Sequence, residues 1–144
     1  MIAIRIVLCG FVTGVVWHVL SAQALYLLAP DFAASLRSVA PHPPRGGAFF
    51  FAIDLMMGIW AVWLYSAIAP RYRARAGAAA VVGLAWWALK TLQSAKWAGL
   101  GFVEPGAGLV GLAAMPLPAT LTATWVGAWL YDRVSQPQER PSAP

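Results

Sequence analysis

Residues 76–102, AGAAAVVGLAWWALKTLQSAKWAGLGF, decide the fold, because they are apolar and long enough to cross a membrane but include two lysines. A helix that rises about 1.5 Å per residue needs ~20 residues to cross ~30 Å of hydrocarbon. Lys90 and Lys96 are costly inside lipid unless each one reaches water or a partner of opposite charge. The stretch therefore predicts a membrane span that carries a polar site.

The composition of the whole chain favours lipid over water as its surroundings. Of its 144 residues, 60% are hydrophobic and only 10% are charged, against about 25% charged in an ordinary soluble domain. Ten basic and five acidic residues are too few to cover a water-soluble fold of this size. Eight tryptophans and four tyrosines suit the membrane–water boundary. We therefore predict an integral membrane protein with the lipid bilayer as its main partner.

The net charge of +5 does not indicate a nucleic-acid-binding protein. The arginines stand singly or in one short run, RYRAR, at the ends of apolar segments, where anionic lipid headgroups would meet them. Cys9 is the one cysteine, so an intrachain disulfide is excluded, and its simplest role is that of a small buried apolar side chain.

Charged residues divide the chain into four apolar segments. We predict spans at about 5–29, 47–69, 76–101 and 107–131, followed by a disordered cytoplasmic tail at 132–144. Only helices satisfy the backbone in isolated spans of this length, so the expected fold is an all-α, four-helix transmembrane bundle in one domain, 1–131. In the first outer loop, PDFAASLRSVA predicts a short interfacial helix with Phe32, Leu36 and Val39 on one face.

Basic residues set the predicted orientation of the spans. Arg71, Arg73 and Arg75 lie in the link between spans two and three, and Arg5 and Arg133 fall on the same side if the chain crosses four times. The positive-inside rule then places both termini in the cytoplasm of a bacterial inner membrane.

A competing interpretation concerns the first span. Arg5, an apolar run and the A-x-A pattern of Ala22 and Ala24 resemble a secretory signal with a cleavage site. The apolar run is long for a signal core, and the other three spans would keep their orientation in either case.

A polar site is expected inside the membrane. Asp54 falls roughly 10 Å below the outer surface, whereas Lys90 is either about 9 or about 18 Å deep, depending on where the hydrocarbon ends. Because an unpaired charge in lipid costs several kcal/mol, we expect Asp54 to contact Lys90 or Lys96, with Gln93 close by. A simpler role for Lys96 is snorkelling to the headgroups. His18, near the middle of span one, most simply hydrogen-bonds across helices.

Small residues and prolines predict how the helices pack. Gly10 and Gly14 form a GxxxG arrangement that lets another helix approach closely. In span four, Pro116 and Pro118 are expected to bend the helix. Threonine hydroxyls would then take up the backbone hydrogen bonds that the prolines free, and a bent helix of this kind can line a substrate path. The threonines concerned are Thr120, Thr122 and Thr124.

Three stretches carry a resemblance to other proteins. They are GVVWHVL in span one, WLYSAIAPRYRARAG at the end of span two, and GAWLYDR at the end of span four. With them, nearly the whole chain resembles a loose group of small bacterial integral membrane proteins with four predicted spans. The resemblance implies the architecture and implies no activity.

Three functional hypotheses follow. No catalytic constellation, metal-ligand spacing or cofactor motif stands out, which favours a non-enzymatic membrane protein that packs as a homo-oligomer or as an accessory subunit of a larger complex. A second hypothesis is a small transporter or proton/ion pathway that uses His18, Asp54 and Lys90. A third is a haem- or pigment-binding subunit, which would need two copies of His18 because His42 lies at the wrong depth.

Overall fold

The structure is a computed structural model that describes residues 2–28, 45–99, 110 and 113–135. Four α-helices occupy these ranges: α1 (Ile2–Leu28), α2 (Arg45–Ile68), α3 (Arg75–Gly99) and α4 (Pro116–Ser135). A short 3-10 helix, Ala69–Arg71, begins the link between α2 and α3. The predicted all-helical fold is confirmed, and no strand occurs within the described ranges. The predicted interfacial helix lies outside them.

Two of these helices are long and apolar enough to cross a membrane, judged by length and composition. They are Ile2–Leu27, with a mean hydropathy of 2.0, and Gly47–Arg71, with 1.8. Only 28% and 22% of their most apolar windows are buried inside the chain. A helix in the core of a soluble protein would bury much more of such a surface. Helix α3 is less apolar than these two, because the polar residues Lys90 and Gln93 lower its mean hydropathy.

The GxxxG arrangement of α1 packs against α2 of the same chain. A Cβ atom added at Gly14 would lie 2.6 Å from Leu55 Cα and 2.7 Å from the carbonyl oxygen of Asp54. From the opposite side, Gly58 faces the backbone of Gly10 and Gly14. The expected close approach is therefore present, and α2 is the helix that makes it.

Glycines also bring α4 close to its neighbours. Gly127 lies against Thr13 of α1, and a Cβ atom added at Gly83 of α3 would lie 2.7 Å from Thr124 Oγ1. Thr13 is fully buried, and its hydroxyl donates to the carbonyl of Cys9 at 2.8 Å. These contacts place α1 beside α2 and α4, and α3 beside α4, with sequential helices antiparallel.

The prolines of span four follow a turn at Met115 that interrupts the helical chain. Helix α4 begins at Pro116, so Pro116 and Pro118 both lie in its first turn. The N–H groups of a first turn have no partner within the helix, and proline costs little there. Residues 113–114 directly before Met115 are helical as well, so the prolines follow an interruption in the helical chain, and the predicted bend stays a prediction.

The threonine hydroxyls bind different carbonyls from those expected. Thr120 Oγ1 donates to Pro116 O at 3.1 Å and Leu117 O at 2.9 Å, and Thr124 Oγ1 donates to Thr120 O at 2.7 Å. These acceptors lie three or four residues earlier in α4, whereas the prolines would free carbonyls before the helix begins. One carbonyl there, Ala113 O, instead accepts the indole N–H of Trp87 at 2.6 Å. Thr122 is exposed.

Helix α4 extends beyond the predicted end of span four. Residues 132–135, predicted to begin the disordered tail, are helical. Asp132 explains the extension, because it accepts a hydrogen bond from the Tyr65 hydroxyl at 2.7 Å and lies 3.6 Å from an Arg75 nitrogen. These contacts join the end of α4 to α2 and α3. Residues 136–144 lie outside the described ranges.

Candidate functional site

Asp54 of α2 is the centre of a polar group that links three helices. The residue is only 9% exposed. Its Oδ1 accepts a hydrogen bond from Trp17 Nε1 at 3.0 Å, and its Oδ2 lies 2.9 Å from His18 Nδ1. Lys90 Nζ of α3 lies 3.6 Å from Oδ1. We call Trp17, His18, Asp54 and Lys90 the polar cluster.

Two consecutive residues of α1 reach the same carboxylate because α1 and α2 cross closely just before them. Gly14 lies about one turn before Trp17 and His18, and its missing side chain admits the backbone of Asp54 itself. The carboxylate then lies between the indole and imidazole nitrogens. The local sequence G-x-x-W-H thus builds the α1 half of the cluster.

Lys90 is held by an aromatic surface as well as by the carboxylate. Its Nζ lies 5.4 Å from the centre of the Trp17 ring, a distance at which a cation is attracted to the face of an indole. One turn earlier on α3, Trp86 packs against Trp17 with ring centroids 5.1 Å apart. The side chain of Lys90 is 24% exposed. Tryptophans therefore direct Lys90 towards Asp54.

His18 lies at the solvent-exposed side of the polar cluster. Its side chain is 36% exposed, against 12% for that of Asp54, and Phe51 packs edge-on to the imidazole at 5.0 Å. When Nδ1 carries the proton and donates to Asp54, Nε2 of a neutral ring is an acceptor. The formal charges of Asp54 and Lys90 cancel, so a proton gained at His18 would leave the cluster with one net positive charge.

The depth of the cluster follows from the helix lengths. We call the end where α1 and α3 finish and α2 and α4 begin the loop end, and the opposite end the turn end. Asp54 is nine residues from the start of α2, and Lys90 is nine residues from the end of α3. Both therefore lie about 13 Å along the helix axis from the loop end.

Of the two lysines considered from the sequence, Lys90 contacts Asp54. Gln93 and Lys96 occupy exposed positions of α3, and neither forms a hydrogen bond or ion pair with Asp54 in the described part of the chain. Sequence reasoning missed Trp17, because no aromatic side chain was considered as a partner of Asp54. Its position directly before His18 was the available signal, since an indole N–H is also a donor.

Two buried polar atoms near the cluster have no hydrogen-bond partner among the described residues. They are Trp86 Nε1 and Thr91 Oγ1. Buried donors are usually satisfied by protein or by ordered water. Trp86 is fully buried and one turn from Lys90, so this region has a donor available for water or for an oxygen of a small solute.

The interior towards the turn end is apolar. Val62 and Val82, both fully buried, lie about two turns from Asp54 and Lys90 along their helices. The buried hydroxyls of Thr13, Thr120 and Thr124 donate to carbonyls of their own helices. No line of free polar groups therefore joins the cluster to the turn end within the described ranges.

The described residues contain no group of three or more histidine, cysteine, aspartate or glutamate side chains that could hold a metal ion. No family model matches the chain, and no curated protein or solved structure is significantly similar to it. The polar cluster is therefore the main basis for a functional proposal.

Proposed function

We propose that the chain is a non-enzymatic integral membrane protein whose four helices all cross the bilayer, and that its polar cluster exchanges protons or ions with the water at the loop end. The observation that carries this proposal is the buried carboxylate of Asp54, contacted by donors from α1 and α3 about 13 Å inside the bundle. Ionisable groups at such a depth in a membrane usually mark ion or substrate paths.

Exposed apolar side chains support the crossing of all four helices. In an isolated chain in water they would form an apolar surface too large for a soluble monomer. In a bilayer the same side chains contact acyl chains, and the tryptophans among them suit the boundary. Exposed examples on the four helices include Phe11, Leu27, Phe50, Met56, Trp63, Leu84, Leu92, Trp125 and Trp129.

The arginines support a bacterial inner membrane with the turn end in the cytoplasm. Arg71 and Arg73 follow α2, Arg75 begins α3, and Arg133 lies near the end of α4. The positive-inside rule favours the cytoplasm for this end of the bundle. Both termini are then cytoplasmic, and the polar cluster opens towards the outer side.

The chemistry of the cluster suits proton exchange. An imidazole ring can both donate and accept a proton, and His18 offers Nε2 at its exposed side while Nδ1 lies against Asp54. Lys90 offsets the charge of Asp54, so the carboxylate does not need a second cation. The apolar layer towards the turn end closes the other side, so passage across the bilayer requires a second conformation, as in alternating access.

Proton flux into liposomes tests this proposal. We expect the purified protein to raise the flux that a potassium diffusion potential drives above that of protein-free liposomes, as reported by an entrapped pH dye. His18→Gln should return the flux to the protein-free level, because an amide can donate to Asp54 but cannot carry a proton at neutral pH.

Lys96→Gln is the matched control, since Lys96 is an exposed residue of α3 outside the cluster. It should keep the flux of the wild-type protein. Wild-type flux no higher than that of empty liposomes, or equal flux in wild type and His18→Gln, would contradict the proposal.

Packing against other copies, or as an accessory subunit of a larger complex, is a second candidate. Three tryptophans that are at least half exposed favour it, because tryptophan is enriched among the anchors of protein interfaces. They are Trp63, Trp125 and Trp129. The GxxxG arrangement does not support it, since Gly58 of the same chain occupies that face. Light scattering in mild detergent tests this candidate, and a stable single-chain mass would remove it.

A haem or pigment held through His18 is a third candidate. A histidine that ligates a metal commonly donates the N–H of its other ring nitrogen to a carboxylate, and Nδ1 of His18 lies 2.9 Å from Asp54 Oδ2. A second axial ligand would have to come from another copy of the chain. The visible absorption spectrum of the purified protein tests this candidate, and the absence of a Soret or pigment band would remove it.

A further inference from the structure

We infer that the turn end is a binding site for the phosphate headgroup of an anionic phospholipid. Arg71 and Arg73 lie in the link that joins α2 to α3, and Arg75 begins α3. Arg133 lies in the last turn of α4. The ion pair between Arg75 and Asp132, at 3.6 Å, fixes the end of α4 beside this link. We call the four arginines the arginine patch.

Positive charge is in excess at this patch. Among the described residues at the turn end, Asp132 supplies the one carboxylate. It already accepts a hydrogen bond from the Tyr65 hydroxyl and pairs with Arg75. Arg71 and Arg73 are exposed, and no ion pair is found for either of them in the described part of the chain. Their guanidinium groups are therefore available to an anion from outside the protein.

Aromatic side chains give the patch an apolar boundary. The guanidinium carbon of Arg133 lies 4.8 Å from the centre of the Trp129 ring, and Trp129 is 52% exposed. Tyr72, between Arg71 and Arg73, is 40% exposed. Exposed tryptophan and tyrosine prefer the depth of lipid headgroups. A guanidinium stacked on an indole still presents N–H groups at its edge, which pair with phosphate oxygens.

These features favour a phospholipid over a soluble anion. The arginines supply bidentate donors to a phosphate, while the adjacent rings and the exposed apolar faces of the helices accommodate the glycerol and acyl chains. The inference rests on the proposed membrane embedding but not on the proposed proton exchange. It adds a second site, at the opposite end of the bundle from the polar cluster.

Native mass spectrometry from bilayers that contain equal amounts of phosphatidylglycerol and phosphatidylcholine tests this inference. We expect the wild-type chain to retain phosphatidylglycerol in preference to phosphatidylcholine. The double variant Arg71→Gln/Arg73→Gln should lower the apparent affinity for phosphatidylglycerol by on the order of tenfold, because each arginine near the surface contributes to lipid attraction. Both side chains are exposed, so the thermal unfolding temperature should be unchanged.

The control is Arg45→Gln/Lys96→Gln, which removes two positive charges at the loop end and should leave the lipid preference unchanged. Excess glycerol phosphate should not displace the bound lipid, whereas displacement would assign the site to a soluble phosphate and overturn the inference. Equal retention of the two lipids, or an equal loss in the control, would overturn the headgroup site while leaving membrane embedding intact. Retention of neither lipid would overturn both.

Discussion

Asp54→Asn is expected to lower the free energy of unfolding by about 3 kcal/mol, because it removes a buried carboxylate that Trp17, His18 and Lys90 all contact. Removing one partner of a buried ion pair costs about 3–5 kcal/mol of stability. The lower end of this range applies here because the side chain of Lys90 is 24% exposed. Equilibrium unfolding in mixed detergent micelles, followed by tryptophan fluorescence, measures the change.

A double variant separates the ion pair from the rest of the environment of Asp54. Asp54→Asn/Lys90→Met removes both charges and should recover most of the lost stability, since an apolar side chain needs no partner. Asp132→Asn is the matched control. It should cost about 1 kcal/mol or less, because its partner Arg75 is 60% exposed. Equal losses of stability in Asp54→Asn and Asp132→Asn would show that the Asp54–Lys90 ion pair stabilises the chain no more than the Asp132–Arg75 ion pair does.

Gly58→Ala is expected to destabilise the chain by about 1–3 kcal/mol, the range for overpacking a closely packed contact. A methyl group at this position would collide with the backbone of Gly14 and Gly10, so α1 and α2 would have to separate. Gly47→Ala on the same helix is the control, because a Cβ atom there meets nothing within 4 Å. The same unfolding assay measures both, and equal stability changes would contradict the close crossing.

The Gly58→Ala variant also connects packing to function. Separation of α1 from α2 moves Trp17 and His18 away from Asp54, since all three lie just beyond the crossing. We therefore expect its proton flux to fall together with its stability. Gly47→Ala should keep the wild-type flux.

Charge spacing and hydropathy were enough to predict where three of the helices lie. Charges near the ends of α1, α2 and α3 bound long apolar runs, and the described bounds fall within three residues of the predicted ones. The predicted span four, 107–131, holds the helical residues 110, 113 and 114 and most of α4, with a turn at Met115 between them. There the prolines interrupt the apolar run, and sequence alone does not say whether proline bends a helix or starts one.

The contact between Asp54 and Lys90 could be predicted, and the packing of Trp86 in the candidate site could not. Helix rise gave Asp54 and the lysines similar depths, which led to the expected contact. Trp86 was missed because its contact with Trp17 depends on which faces of α1 and α3 meet. Such contacts join residues far apart in sequence, so no local pattern reports them.

The direct test of the central claim is whether α3, the helix that carries Lys90, crosses the membrane. In a Cys9→Ala background, Arg73→Cys and Lys96→Cys place single thiols at exposed positions on opposite ends of this region. We predict that a membrane-impermeant maleimide added to intact spheroplasts labels Lys96→Cys at once and Arg73→Cys only after permeabilisation. Labelling of both thiols from the same side, or recovery of the chain in the soluble fraction, would contradict the account.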